Sequence, residues 1–453
     1  MKIRLGYIGI LLLLVPQICF AASSDVSITI YNQNLGLVRD VRQVDFKQGQ
    51  NEFKFFDVAS QIDPTSVHFK FLDAPEKATI LEQNYQYDLV DSHKMLYKYL
   101  DKDIQLFTKQ DKLFEGQLLS FSIGDLVMRE KNGGIRVVTL DNVRDLYFPT
   151  LPEGLITKPT LVWLINSKSD INGKAEVSYL TEGINWHAEY VAVTDQEDKN
   201  LNLSGWVSID NHSGATYQDA KLKLMAGEVR KIEDRVRPSM QLAKGMALEA
   251  ATGFEEKPFF EYHLYTLQRR TTLKDNEIKQ VSLFSPASVK AEKILTYDGA
   301  MDGKKVRVNL EFTNSKEAGL GIPLPQGKIR VYKEDIDGSL EFVGEDKIDH
   351  TPKDEKIRVY LGNAFDVVGE RTKTDFRKIS DRISEETYSI KLRNHKKEKT
   401  GVTVIERFPS YYQWEITKAN FEYVKKDVSA IEAKISLNKD EEKVLEYTVR
   451  YNY

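Results

Sequence analysis

The chain has 453 residues, with 64 basic and 68 acidic side chains and a formal net charge of −4. That length suits about two to four domains with cores of their own, and the near-balance of charge leaves no global basic field to draw the protein onto nucleic acid. Twenty-two Tyr and 21 Phe favour β-rich globular structure over disorder.

The N-terminus carries Lys2 and Arg4, an apolar stretch from Leu5 to Val15, and then small residues. This is the pattern of a secretory signal peptide over residues 1–21. Cys19 and Ala21 stand at the −3 and −1 positions, so cleavage is expected between Ala21 and Ala22, with export to the periplasm or cell surface. Lipidation of Cys19 is disfavoured, because Ile18 and Pro16 stand where a small and an aliphatic residue are needed. Cys19 is the only cysteine. The processed chain is therefore expected to have no disulfide, thiolate nucleophile or Cys-ligated zinc. No later run approaches ~18 apolar residues, so no membrane span is expected after signal removal.

Downstream, period-two alternation marks strands with one buried face. Residues 22–95 hold VSITIYN, LVRDVRQVDF and NEFKFFDV, followed by Leu89, His93, Leu96 and Leu100 at a spacing that predicts a short helix. Residues 96–150 carry five short strand-like segments joined by tight turns, the pattern of a small SH3-like barrel. A central β domain occupies 151–295 and is interrupted at 231–262, where Ala, Met, Gly and charge replace β-branched residues. A flexible or partly helical excursion is expected there, with Met240, Leu242, Met246 and Leu248 as an apolar patch for a partner or for their own domain. Residues 296–453 return to strands: Val306, Val308, Leu310 and Phe312 alternate with Arg307, Asn309 and Glu311, and Leu445, Tyr447, Val449 and Tyr451 repeat the phase. Within this region DFRKISDRISEETYSIKLRNHKKEKTGVTVIERFP reads as the centre of an immunoglobulin-like sandwich with a long basic hairpin at Asn394–Thr400. Asn132-Gly133, Asp302-Gly303 and Asp337-Gly338 signal tight turns. The fold class is all-β, built of several sandwich or barrel domains.

One cluster suggests chemistry: Asn211, His212, Ser213 and Gly214, with Asp219 nearby. Alternating runs on both sides make residues 211–219 an interstrand connection, and Asn, Ser, Gly and Asp are turn formers. The nucleophile elbow G-x-S-x-G is absent, because Asn211 and Ala215 occupy its glycine positions. A serine adjacent to its own histidine is also poorly placed, since the general base normally comes from another segment. His187 and Glu189 share a strand face, but two ligands do not make a metal site. With no H-E-x-x-H, Walker A or G-x-G-x-x-G sequence, no metal and no cofactor are expected. Trp206 shares a face with Ser208 and Asp210, opposite the aliphatic residues of its strand. Either a second layer covers it, which is the favoured expectation, or it is an exposed aromatic suited to a sugar or a partner.

From residue 150 onward the strings LPEGLITKPTLVW, SYLTEGINWHAEYVAV, LSGWVSIDNHSGATYQDAKLKLMAGEV, FFEYHLYTLQRRTTLKDNEIKQVSLF and ETYSIKLRNHKKEKTGVTVIERF occur in order. Together they resemble bacterial secreted proteins of the domain of unknown function 4139 family, some labelled mucoidy-inhibitor-like. The resemblance implies a signal-bearing, β-rich envelope protein without catalytic residues to carry over. Its recurrent positions, Trp186, Tyr190, Asn211, Ser213, Gly214 and Leu273, fall on expected strands and turns and are assigned structural roles.

The leading expectation is a non-enzymatic binding or scaffold protein whose partner is an envelope protein or a glycan, with Trp206, Trp186 and Tyr190 as binding candidates. One rival is an envelope hydrolase acting on a glycan through carboxylates such as Glu189 or Asp219 near Trp186 and Trp206. Another is a partner module that uses the 231–262 excursion.

Overall fold

The structure, a computed structural model, describes residues 25–73, 75–227, 254–259 and 262–452. The signal segment with Ala21 and Ala22, and the excursion from 231 to 253, lie outside the described residues. The chain divides into two compact units. Among the described residues, the first takes in Asp25–Ile28, Leu37–Glu182 and Ser213–Ala220; the second takes in Thr29–Gly36, Gly183–His212 and those from Lys221 onward.

The first unit holds the start of β1 (Asp25–Tyr31) and the greater part of β2 (Leu35–Phe46), and then β3 (Gly49–Phe56), β4 (His68–Phe71) and β5 (Ala78–Gln86), which precede helix α1 (Ser92–Lys98). The helix begins where Asp91 accepts a hydrogen bond from the Lys94 amide at 2.8 Å, an N-cap that satisfies one of the free amides of the first turn. Then come β6 (Asp103–Thr108), β7 (Leu113–Phe121), β8 (Asp125–Glu130), β9 (Ile135–Thr139) and β10 (Val143–Tyr147), followed by β11 (Thr160–Ser167) and β12 (Ile171–Thr181). One sheet runs β1-β2-β12-β4 and a second runs β3-β11-β5. Phe46, Phe53, Phe69 and the fully buried Trp163 form an aromatic core, with Phe53 stacked on Trp163 at 5.9 Å.

The five strands expected between 96 and 150 all form, in the order β10-β6-β7-β8-β9, but the sheet is not a closed barrel. The 3-10 turn Leu140–Asn142 carries the chain from β9 so that β10 pairs with β6, which leaves β9 as an edge. Closure is dispensable because Leu96 of α1 and the adjoining Tyr99 join Ile104, Leu106, Leu118 and Met128 in one core.

The second unit contains β13 (Ile184–Thr194), β14 (Asn200–Asn211), the greater part of β15 (Tyr217–Ala226), β16 (Phe254–Phe259), β17 (Tyr262–Leu267) and β18 (Thr271–Leu273). It continues through β19 (Glu277–Tyr297), β20 (Lys305–Thr313), β21 (Gly327–Glu334), β22 (Leu340–Ile348) and β23 (Lys356–Ser380). Last come β24 (Ile383–Asn394), β25 (Thr400–Arg407), β26 (Gln413–Ala419), β27 (Val424–Asp427), β28 (Ala430–Leu437) and β29 (Glu442–Asn452). A sheet β22-β21-β13-β14-β19 lies beside the ladder β16-β17-β15, with Trp186 and Tyr265 meeting edge to face between them. The described end of the 231–262 excursion is extended rather than helical: Phe254–Phe259 pairs antiparallel with β17, and Phe254, Leu264 and Leu267 are buried.

β19 is 21 residues long and serves two sheets, pairing with β14 by its first part and with β20 and β25 by its last. Beyond it a C-terminal sandwich forms from β20-β23-β24-β29-β26 and β25-β28-β27, around Tyr297, Ile390, Val404, Ile431, Leu445 and Tyr447. The Asn394–Thr400 segment is not a hairpin. β24 pairs with β23 and β29 while β25 pairs with β19 and β28, so the segment crosses between the sandwich's two sets of strands. Asn394 holds the crossing by donating to the carbonyls of Glu398 and Asn438 at 2.9 and 2.8 Å.

Candidate functional site

Alternation along β13 turns Ile184, Trp186, Ala188 and Tyr190 into the core and leaves Asn185, His187 and Glu189 on the opposite face. Trp186 is 1% exposed and donates its indole N–H to the Met225 carbonyl at 3.2 Å. Tyr190 is fully buried and donates to the Pro325 carbonyl at 2.7 Å, with burial pushing its hydroxyl well above the usual phenol range. Both residues are thus buried, and Trp186 stands in the wall of a neighbouring cleft.

Trp206 differs. Among the described residues no layer covers it, contrary to the expectation favoured from sequence, and the residue is 41% exposed. On β14 it stands opposite Glu189 of β13 and Ser282 of β19. The β14–β19 register shifts on both sides of Gly205, pairing Leu203 with Ala287, Gly205 with Phe284 and Trp206 with Ser282. The extra residues lie on β19 and include Pro286, whose missing N–H suits a bulge. On the inner face, a Cβ at Gly205 would collide with the Phe284 ring, so this glycine is required for close packing directly beneath the exposed tryptophan.

Beside Trp206 the outer face is polar and connected. Glu189 Oε2 accepts from Ser208 Oγ at 3.1 Å and from Gln280 Nε2 at 2.9 Å, and Gln280 also donates to Ser208 Oγ at 3.0 Å. Glu189 Oε1 lies 3.7 Å from the Arg330 guanidinium and 3.6 Å from His187 Nε2. Arg330 reaches Glu345 on the far strand at 3.4 Å. Four strands thus contribute to a linked row from Gln280 to Arg330 with an indole at its side.

The row leads into a cleft of about 410 Å³ lined by Asn32, Asn185, His187, Gln326, Lys328 and Asp349, among others. The side-chain oxygens of Asn32 and Asn185 are enclosed with no hydrogen-bond partner among the described residues. Such acceptors are costly unless something donates to them. The face therefore offers an aromatic plane beside charged and amide groups held in place by one another, with two enclosed, unsatisfied acceptors at the adjoining cleft.

The 211–214 cluster has a different role. His212 pairs with Asp210 at 2.9 Å and contacts Asn276 at 3.0 Å, whereas the Ser213 hydroxyl is buried against the Tyr217 hydroxyl at 2.9 Å. The Ser213 carbonyl accepts from the Gln61 amide at 3.1 Å, and Gly214 has φ +80°. This is a docked turn. Glu189 and Asp219 fall in different units. Among the described residues, no group of three or more His, Cys, Asp or Glu side chains could hold a metal ion, and no helix is long and apolar enough to cross a membrane.

Sequence alternation placed Glu189 on the outer face, but it could not reveal its partners. Gln280 and Arg330 come from strands about 90 to 140 residues away, and only the β13–β14–β19 and β13–β21 registers bring them together. Residues 175–453 match the family model described as Domain of unknown function (DUF4139). No curated protein matches the chain.

Proposed function

The chain belongs to the DUF4139 family, and we propose that it is an exported envelope protein that binds a glycan without chemical turnover, through the face around Trp206 and Glu189. Export follows from the charged, apolar and small-residue succession of residues 1–22. The observation that carries the glycan reading is the 41% exposure of Trp206 beside the Glu189–Ser208–Gln280–Arg330 network. An indole stacks on the C–H face of a sugar ring, while carboxylate, amide and guanidinium groups exchange hydrogen bonds with its hydroxyls. Fixing those groups in advance lowers the ordering cost of binding.

Binding is favoured over hydrolysis because a glycosidase needs two carboxyl groups facing each other across the substrate, one of them free to give up a proton. Glu189 already accepts from Ser208 and Gln280, and it shares Arg330 with Glu345. That arrangement keeps both carboxylates engaged with neighbouring donors.

The test is retention of the full chain on polysaccharides from its own envelope, measured beside Trp206→Ala. Specific retention that the substitution removes supports the reading. Equal retention of the two proteins, or none by either, would sink it.

A further inference from the structure

A second cavity, of about 650 Å³, lies wholly within the first unit. Its walls include Val38, Asp40 and Arg42 of β2, Lys158, Tyr179 of β12, and the turn from Gly214 to Gln218. Along β2, Val38, Val44 and Phe46 are buried in one phase of the alternation, and Asp40 and Arg42 stand in that same phase. A carboxylate therefore occupies a core position, where Asp40 is only 5% exposed.

The pair is rigidly built. Arg42 donates through Nε and Nη2 to Asp40 Oδ2, at 3.1 and 2.7 Å, and its guanidinium lies 3.7 Å from the centre of the Phe55 ring. Asp40 Oδ1 is enclosed and has no hydrogen-bond partner among the described residues. A buried carboxylate oxygen without a donor is costly, so the cavity is prepared for a donor from outside the chain. Nearby, the buried Tyr179 hydroxyl accepts from the Ala59 amide at 3.3 Å and keeps its own proton to donate.

Charge selects the kind of donor. Arg42 already neutralises Asp40, and Lys158 is paired with Asp57, another residue of the wall. An ammonium group entering this site would lose its hydration without meeting a net negative charge to repay the loss. A hydroxyl has no such cost, and it can donate to Asp40 Oδ1 while accepting from a neighbouring donor. Val38 and Val58 supply apolar wall for the carbon skeleton. From these features we infer that the cavity is a binding site for a small neutral polyhydroxylated molecule of monosaccharide size, with Asp40 Oδ1 as the acceptor that orients it. The site stands on its own residues and does not depend on the reading of the Trp206 face.

Calorimetric titration of the full chain tests it, in a Trp206→Ala background so that the sheet face does not contribute. The probes are D-glucose and N-acetyl-D-glucosamine, with D-glucosamine as the ammonium-bearing comparison. At least one neutral sugar is expected to bind, and D-glucosamine to bind about tenfold more weakly or worse. Asp40→Asn is expected to weaken the neutral sugar by about tenfold or more. Thr157→Trp, which fills the mouth and leaves the Asp40–Arg42 pair intact, should do the same; it keeps the test decisive if Asp40→Asn fails to fold. Three results would overturn the inference: no neutral sugar bound at concentrations on the order of 50 mM, binding that survives Thr157→Trp, or D-glucosamine binding as tightly as the neutral sugars.

Discussion

Arg371 donates through Nε to both carboxylate oxygens of Glu406, at 3.0 and 2.8 Å, inside the C-terminal sandwich. The same guanidinium lies 3.7 Å from the centre of the Tyr388 ring, and the Tyr447 hydroxyl donates to Glu406 as well. Burial pushes the Glu406 carboxyl up against the opposing pull of Arg371. Arg371→Ala would leave Glu406 buried without its counter-charge, at an expected cost of about 3–5 kcal/mol in denaturant unfolding. Replacing both residues together with apolar ones should recover most of that loss. If the single substitution costs no more than a surface change, the pair does not have this role.

Trp206 and Trp186 are expected to separate binding from stability. Trp206→Ala should shift unfolding free energy by less than about 0.5–1 kcal/mol, because its ring is half in solvent. Trp186→Ala should cost about 3–5 kcal/mol through the cavity it leaves and the hydrogen bond to Met225 it removes. Chemical denaturation of the two variants, beside polysaccharide retention, checks both halves.

Gly214→Ala is expected to destabilise by about 1–3 kcal/mol, because φ is +80° and the added Cβ collides with the Ser60 side chain. Ser213→Ala should have a smaller effect, through the lost contact to the Tyr217 hydroxyl. A hydrolytic activity of the full chain that Ser213→Ala abolished, with folding intact, would contradict the assignment of this segment as a turn.

Buried phenols predict alkaline instability. Burial, reinforced by Glu406, pushes the Tyr297 hydroxyl up to about 12, and burial also holds Tyr179, Tyr190 and Tyr265 well above their usual value. Since the folded values exceed the unfolded value of about 10, the native state keeps protons that the unfolded chain releases. This contribution is fully present below pH ~10 and is lost as pH rises through the folded values. Phenolate absorbance followed against pH should show a delayed fraction in native protein that disappears in denaturant. Uniform titration near pH 10 in both states would refute this.

Period-two alternation was sufficient to identify the all-β class and to put Ile184, Trp186, Ala188 and Tyr190 on one side of a strand, with His187 and Glu189 on the other. The Asn-Gly and Asp-Gly pairs located the turns at Asn132-Gly133, Asp302-Gly303 and Asp337-Gly338, whose glycines all have positive φ, and the spacing of Leu89, His93, Leu96 and Leu100 located the short helix before β6. These are local consequences of backbone geometry, and a single stretch of chain contains them. Pairing is not local. Whether Trp206 is covered depends on which elements lie over the outer face of β14, and the company of Glu189 depends on two ladders formed with distant strands. The Asp40–Arg42 pair shows both levels: charged residues at core-phase positions of β2 were visible in LVRDVRQVDF, but only the surrounding β12 and the 214–218 turn make a cavity of that anomaly. Alternation specifies which side chains share a face; strand order and register, set by burial summed over the whole fold, decide what that face meets.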